Sequence, residues 1–255
     1  MQPVLTLGWI GVPSFTALMA LALGAALWMS WIQARRTGLL PSDVLDAALA
    51  AVLVGVLTAR AGYVVEHGDY FRNHASEIAQ VWWGGLAWHA GLLGGVIGVA
   101  GFSARRELSA RVVLDTLAPG LMAGAALGWI GCHLAGVAFG REVFPGDRWW
   151  FLAADLPDIY RLWDPRIATQ LLGAAWAALC FVVAMTNHRR SSPVARHSTF
   201  AVTMALYSAG MFALGFARGD VAPMAGTWRV DQLVDAAITM AGVVYILASN
   251  IRREQ

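Results

Sequence analysis

Lysine is absent from this chain. All 18 basic residues are arginine, which excludes a lysine Schiff base of the retinal-protein kind and any lysine-based catalysis. Cysteine is nearly absent: Cys132 and Cys180 are the only two. Both fall inside long apolar runs, where a thiol packs as a small apolar group, so no disulfide framework or cysteine metal site is expected. Charge of either sign is scarce. Asp, Glu, Lys and Arg make up 13% of the residues and hydrophobic residues 58%, whereas a soluble domain carries roughly 25% charge. The composition is that of an integral membrane protein with nothing left for a soluble domain beyond outer loops. The net charge of +2 calls for no nucleic-acid partner. No two histidines show helical ligand spacing within one apolar run, so no metal and no cofactor are expected. No basic stretch precedes the first apolar run, and that run is expected to stay as an anchor rather than be cleaved as a signal peptide.

What the chain has is seven long apolar segments, at 14–34, 42–65, 84–104, 111–139, 166–187, 197–217 and 231–250. A helix of about 20 residues crosses a hydrocarbon core of about 30 Å. Arginine clusters follow the odd-numbered segments: Arg35 and Arg36; Arg105, Arg106 and Arg111; Arg189, Arg190 and Arg196; Arg252 and Arg253. Arginine is retained on the cytoplasmic side. One topology satisfies all four clusters, with the N-terminus outside and the C-terminus in the cytoplasm. The expected fold is all-α: a single polytopic membrane domain over 1–255 with seven transmembrane helices. Its polar residues gather in outer loops at 66–83, 140–165 and 218–230. The loop at 140–165 mixes charge with Trp149, Trp150, Phe151, Tyr160 and Trp163, as suits a segment lying in the headgroup layer.

Glycines crowd the third and fourth segments: Gly91, Gly94, Gly95 and Gly98, then Gly120, Gly124, Gly128, Gly131, Gly136 and Gly140. Small residues at such spacing let helices approach closely. Gly140 is set apart, since it ends its segment and opens the longest loop. Ionisable groups at membrane depth are costly and therefore candidates for function. Arg60 is either a snorkelling arginine or a phosphate ligand. His89 either bonds a neighbouring helix or serves as a general base near neutral pH. His133 and Asp115 read as structural. Arg60, His89, Arg141 and Arg218 all fall at the outer half of the bilayer in the expected topology. Guanidinium forks beside an imidazole suit a phosphate ester substrate.

Several stretches resemble the prolipoprotein diacylglyceryl transferases. They are ARRTGLLPSDVLDAALAAVLVGVLTARAGYV at 34–64, GGLAWHAGLLGG at 84–95 and DTLAPGLMAGAALGWIGCHLAGVAFGR at 115–141. Ala168, Thr169, Gln170 and Leu171 resemble that family's Pro-Ser-Gln-Leu segment, and 216–220 resembles its late arginine motif. The resemblance implies a bacterial inner-membrane enzyme that moves a diacylglyceryl group from phosphatidylglycerol to the cysteine thiol of a lipoprotein precursor. It implies catalytic roles for His89 and Arg218, and substrate-binding roles for Arg60, Gln170, Gly140 and Arg141. The chain departs from the family pattern at Trp129, where an arginine is usual, and at Leu172 and Gly173, where tyrosine and glutamate are usual. Cys132, His133, Gly215 and Phe15 are further departures. Two readings follow: a working transferase, or a catalytically inactive homologue serving as a structural or accessory subunit of a membrane complex.

Overall fold

The computed structural model describes residues 4–7, 10–158, 160, 162–190 and 198–254. Arg161 and Arg196 lie outside these residues, as do the side chains of Arg189, Arg190, Arg252 and Arg253. The chain forms two compact units, one of Ser30–Leu117 and one of Met1–Met29 with Ala118–Gln255.

Among the described residues, seven long helices occupy the seven apolar segments: α1 (Ser14–Thr37), α2 (Pro41–Glu66), α4 (Trp88–Arg105), α5 (Ala110–Ala135), α6 (Thr169–Arg190), α7 (Thr199–Gly215) and α8 (Val230–Glu254). A four-residue α3 (Gly68–Phe71) follows α2. Stretches in five of the helices, α1, α2, α5, α6 and α8, are long and apolar enough to cross a membrane, while α7 is apolar but has 17 residues. The 18 residues of α4 include five glycines, Trp88, His89 and Ser103, which dilute its apolar character. Leu49, Leu53 and Leu57, four residues apart on α2, stand outward with Leu57 70% exposed. In water that stripe would have to be buried; in lipid it needs no cover.

The connections expected on the outer side are more ordered than the sequence suggests. Among the described residues three short hairpins form: β1 (Val4–Leu7) with β2 (Ile10–Pro13), β3 (Ala153–Pro157) with β4 (Trp163–Ile167), and β5 (Met224–Ala225) with β6 (Trp228–Arg229). The stretch expected as one segment in the headgroup layer is therefore largely the β3–β4 hairpin. Pairing strands lets their backbone N–H and C=O groups satisfy one another. Helix α4 starts four residues later than its apolar run, because Gly84 (φ +87°) and Gly85 (φ +74°) adopt left-handed backbone. Helix α5 stops at Ala135 rather than 139, where Gly136 (φ +68°) turns the chain out of the helix. The amides of Gly136 and Val137 then bond back to His133 O and Cys132 O, a glycine-stop arrangement at a helix C-terminus.

Inside the Ser30–Leu117 unit, the expected glycine seam is real. A Cβ on Gly98 would lie 2.6 Å from Ala50 O, and Gly94 faces the Thr58 side chain at a distance too short for any Cβ. Helices α2 and α4 thus touch through backbone, the contact that dispersion rewards where lipid removes the hydrophobic drive. Ala47, Val99 and Val113 form the buried core beside them.

Candidate active site

In the larger unit, four of the sequence candidates meet at one backbone junction. Beyond α5 the chain turns at Gly136 (φ +68°) and Ala138 (φ +54°), and 139–143 then runs between two other segments. On one side Arg141 N donates to Ala217 O and Gly219 N to Phe139 O, both at 2.9 Å, which pairs Gly140 with Arg218. On the other side Ile167 N donates to Arg141 O at 3.1 Å and Val143 N to Pro165 O at 2.9 Å. The start of α6 closes the junction, since Thr169 Oγ1 donates to Ala138 O at 2.8 Å and Gln170 Nε2 to Val137 O at 3.1 Å. Gly140, Arg141, Gln170 and Arg218 are thereby brought together, although they come from three separate stretches of sequence.

Two glycines make the junction possible. A Cβ on Gly140 would overlap the Ile167 carbonyl. One on Gly219 would sit 2.7 Å from Arg141 Cα and 2.9 Å from Gly140 O. Gln170 is 1% exposed, and its Oε1 lacks a hydrogen-bond partner among the described residues. Arg141 is exposed.

The Arg218 guanidinium is mostly buried within a network of alternating charge. Its Nε donates to Asp220 Oδ1 at 2.9 Å, its Nη2 to Asp220 Oδ2, and its Nη1 to Asp231 Oδ2 at 3.2 Å. Burial lowers the Arg218 pKa, but the hydrogen bonds to Asp220 and the charges of Asp220 and Asp231 outweigh it and raise the value. The side chain is therefore a permanent cation. Arg229 reaches the same two carboxylates. Cys132 lies close enough to feel the charges of Arg218 and Asp220. A second network centres on Arg166, whose Nη2 lies 2.8 Å from Glu142 Oε1 and 3.0 Å from Asp164 Oδ2. The sequence reading passed over Arg166, Arg229 and Asp231. A signal was available: Asp164 and Arg166, Arg218 and Asp220, and Arg229 and Asp231 are opposite charges two residues apart. On extended backbone such residues share a face.

The departures from the family pattern are coupled in space. Trp129 Nε1 donates to Tyr207 Oη at 3.1 Å. Its ring lies over Gly173, where a Cβ would come within 2.5 Å of Cδ2. The large side chain at one position fits only because the other has none.

In the Ser30–Leu117 unit, Arg60 is 8% exposed near the C-terminal end of α2. Its Nε donates to Ile78 O at 2.8 Å, its Nη1 to Gly84 O and Gly85 O at 2.8 and 3.0 Å, and its Nη2 to Glu77 O at 2.7 Å. These bonds use four of the five guanidinium donors. Arg60 therefore braces the 77–85 loop, and one N–H remains for any ligand. The loop and helix enclose a cleft of about 310 Å³ lined by Arg60, Tyr63, His67, Tyr70 and Glu77 among others. The hydrogen bond from Tyr70 Oη to Glu77 Oε2 raises the Tyr70 pKa. His89 lies half-buried in the first turn of α4, whose entry is tied to α2 by Ala87 N donating to Ala59 O at 3.0 Å.

The family model for prolipoprotein diacylglyceryl transferase matches residues 2–248. The chain belongs to this family. It is 31% identical over 247 residues to the phosphatidylglycerol–prolipoprotein diacylglyceryl transferase of Geobacillus kaustophilus, covering 94% of this chain and 87% of that one. Similar enzymes of the same name occur in Streptococcus agalactiae serotype Ia, 29% identical with 90% and 88% covered, and in Thermosynechococcus vestitus, 28% identical with 93% and 88% covered. Every one of these relatives carries the transferase name, so the reading as an inactive accessory subunit is not the favoured one. The resemblance read from the motifs in Sequence analysis holds over nearly the whole chain.

Proposed function

We propose that this protein transfers the diacylglyceryl group of phosphatidylglycerol to the cysteine thiol of a prolipoprotein in the bacterial inner membrane. The observation that carries this reading is the family match over 2–248. In the reaction the thiol sulfur bonds to the terminal glyceryl carbon. The bond from that carbon to the phosphate oxygen breaks, and glycerol phosphate leaves with the electron pair. His89 takes the thiol proton. The phosphate passes from a singly charged diester to a doubly charged monoester. A fixed cation at that phosphate stabilises the transition state more than the ground state, and this is the role assigned to Arg218.

The remaining candidates serve binding. The buried Gln170 Oε1, unpartnered among the described residues, suits acceptance of a hydrogen bond from a headgroup hydroxyl. Gly140 gives the backbone its close approach at the junction. Arg141, exposed beside it, attracts anionic headgroups. Arg60 acts through the loop it braces, with its remaining N–H free for a phosphate oxygen. The orientation that accompanies this reading is seven spans with the N-terminus outside and the C-terminus in the cytoplasm, supported by the arginine clusters. Phosphatidylglycerol and prolipoprotein are its partners.

The test is a purified, full-length assay with phosphatidylglycerol and a peptide bearing a lipoprotein-type cysteine. The peptide should gain one diacylglyceryl thioether for each glycerol phosphate released. His89→Ala should abolish product, and Arg218→Gln should lower kcat by about a hundredfold or more. A wild-type protein without product overturns the reading, and full activity in His89→Ala removes the assigned base.

A further inference from the structure

Arg218 alone is a poor phosphate ligand. Asp220 holds it as a two-pronged fork and Asp231 touches its remaining Nη1. One guanidinium between two carboxylates has a net charge of −1, which repels an anionic headgroup. Arg229 changes the balance. It is 8% exposed, on β6. Its Nε donates to Asp231 Oδ1 at 3.2 Å and Oδ2 at 3.4 Å. Its Nη1 donates to Asp220 O at 2.9 Å. Its Nη2 reaches Asp220 Oδ1 and Asp231 Oδ2, both at 3.4 Å. The backbone amide of Gln232 adds a donor to Asp231 Oδ1 at 2.9 Å. Asp231 is thus satisfied from two directions without Arg218, whereas Asp220 forms the tighter pair with it.

We infer that Arg229 is a positioning residue for recognition of the anionic phosphodiester. It holds Asp231 and part of Asp220, so that Nη1 of Arg218 can pass from Asp231 to a phosphate oxygen without leaving the part-buried Asp231 carboxylate unpaired. The exchange is affordable for a physical reason. Removing one partner from a buried ion pair is costly because the other charge is stranded, and Arg229 with the Gln232 amide prevents that. With Arg229 present the four side chains sum to zero charge, and the arriving phosphodiester adds the only excess. The inference rests on the proposed role of Arg218 and deepens it.

The experiment compares Arg229→Gln, Asp231→Asn and the double variant, as full-length protein in micelles. Both turnover and equilibrium binding of phosphatidylglycerol are measured, with phosphatidylcholine as a zwitterionic control. Arg229→Gln should raise KM and Kd for phosphatidylglycerol by about tenfold or more, equivalent to about 1.4 kcal/mol, with a smaller change in kcat. The double variant should recover most of that loss, because removing the Asp231 charge relieves the excess that Arg229→Gln creates. Binding of phosphatidylcholine should change little. A merely structural Arg229 gives the opposite pattern: a fall in folded protein and in kcat, and a double variant no better than the single one. That result, or an unchanged Kd in Arg229→Gln, overturns the inference. A wild type that binds phosphatidylglycerol but forms no product sinks the transferase reading alone, and the Kd comparison still decides the role of Arg229.

Discussion

Gly219→Ala tests the junction that carries Arg218. The added methyl would lie 2.7 Å from Arg141 Cα, 2.8 Å from Arg141 N and 2.9 Å from Gly140 O. All three neighbours are backbone, so no side-chain rotation relieves the overlap. Forcing extra volume into a packed site costs about 1–3 kcal/mol. The strand can escape only by weakening the bonds from Gly219 N to Phe139 O and from Arg141 N to Ala217 O, at about 0.5–1.5 kcal/mol each. A loss of about 2–4 kcal/mol results, which in a chain of this size lowers Tm by roughly 5–12 °C. Activity should fall further than stability, because a shift of about 1 Å in a positioned group can cost about a hundredfold. Gly24→Ala is the matched control. Nothing lies within 4 Å of its Cβ position, and it sits inside α1, where alanine is favoured over glycine by about 0.8–1.0 kcal/mol. Thermal unfolding of both variants at one scan rate, followed by the peptide assay, reads out the comparison. If Gly219→Ala matches wild type in Tm and turnover, the close approach described here is wrong.

Three further outcomes are expected. Gly173→Glu alone should destabilise the protein by about 1–3 kcal/mol through overlap with the Trp129 ring, while Trp129→Arg with Gly173→Glu should regain most of the lost Tm; a double variant no more stable than Gly173→Glu denies the coupling. Arg60→Met should strip the donors from four loop carbonyls, and limited proteolysis should then cut the 77–85 loop faster; unchanged cleavage removes the brace. In a background with Cys132 and Cys180 replaced by alanine, a cysteine at Ser191, outside the described residues, should react only with reagents that enter the cytoplasm, and one at Asp155 only from outside; the reverse pattern overturns the orientation.

Much of this protein was legible in the order of its residues. Apolar runs of helical length are a local property, so each of the seven appears as a helix within a few residues of its expected bounds. The family was legible for a related reason: its motifs are short contiguous strings, such as those around His89 and Arg218. Close helix contact through Gly94 and Gly98 was legible too, because only small residues permit it. The tertiary structure decided what depends on partners far apart in the chain. Arg60 and Arg218 look alike in sequence, each an arginine near the C-terminal end of an apolar helix. Folding gives one of them four loop carbonyls from the 77–85 loop, and it adds Asp231 at the start of α8 to the Asp220 that already lies two residues from the other. Trp129 and Gly173 read as two unrelated departures until packing sets the ring of one over the bare backbone of the other. Gly140 and Gly219 are separated by 78 intervening residues, and only the crossing of their strands explains why neither can carry a side chain.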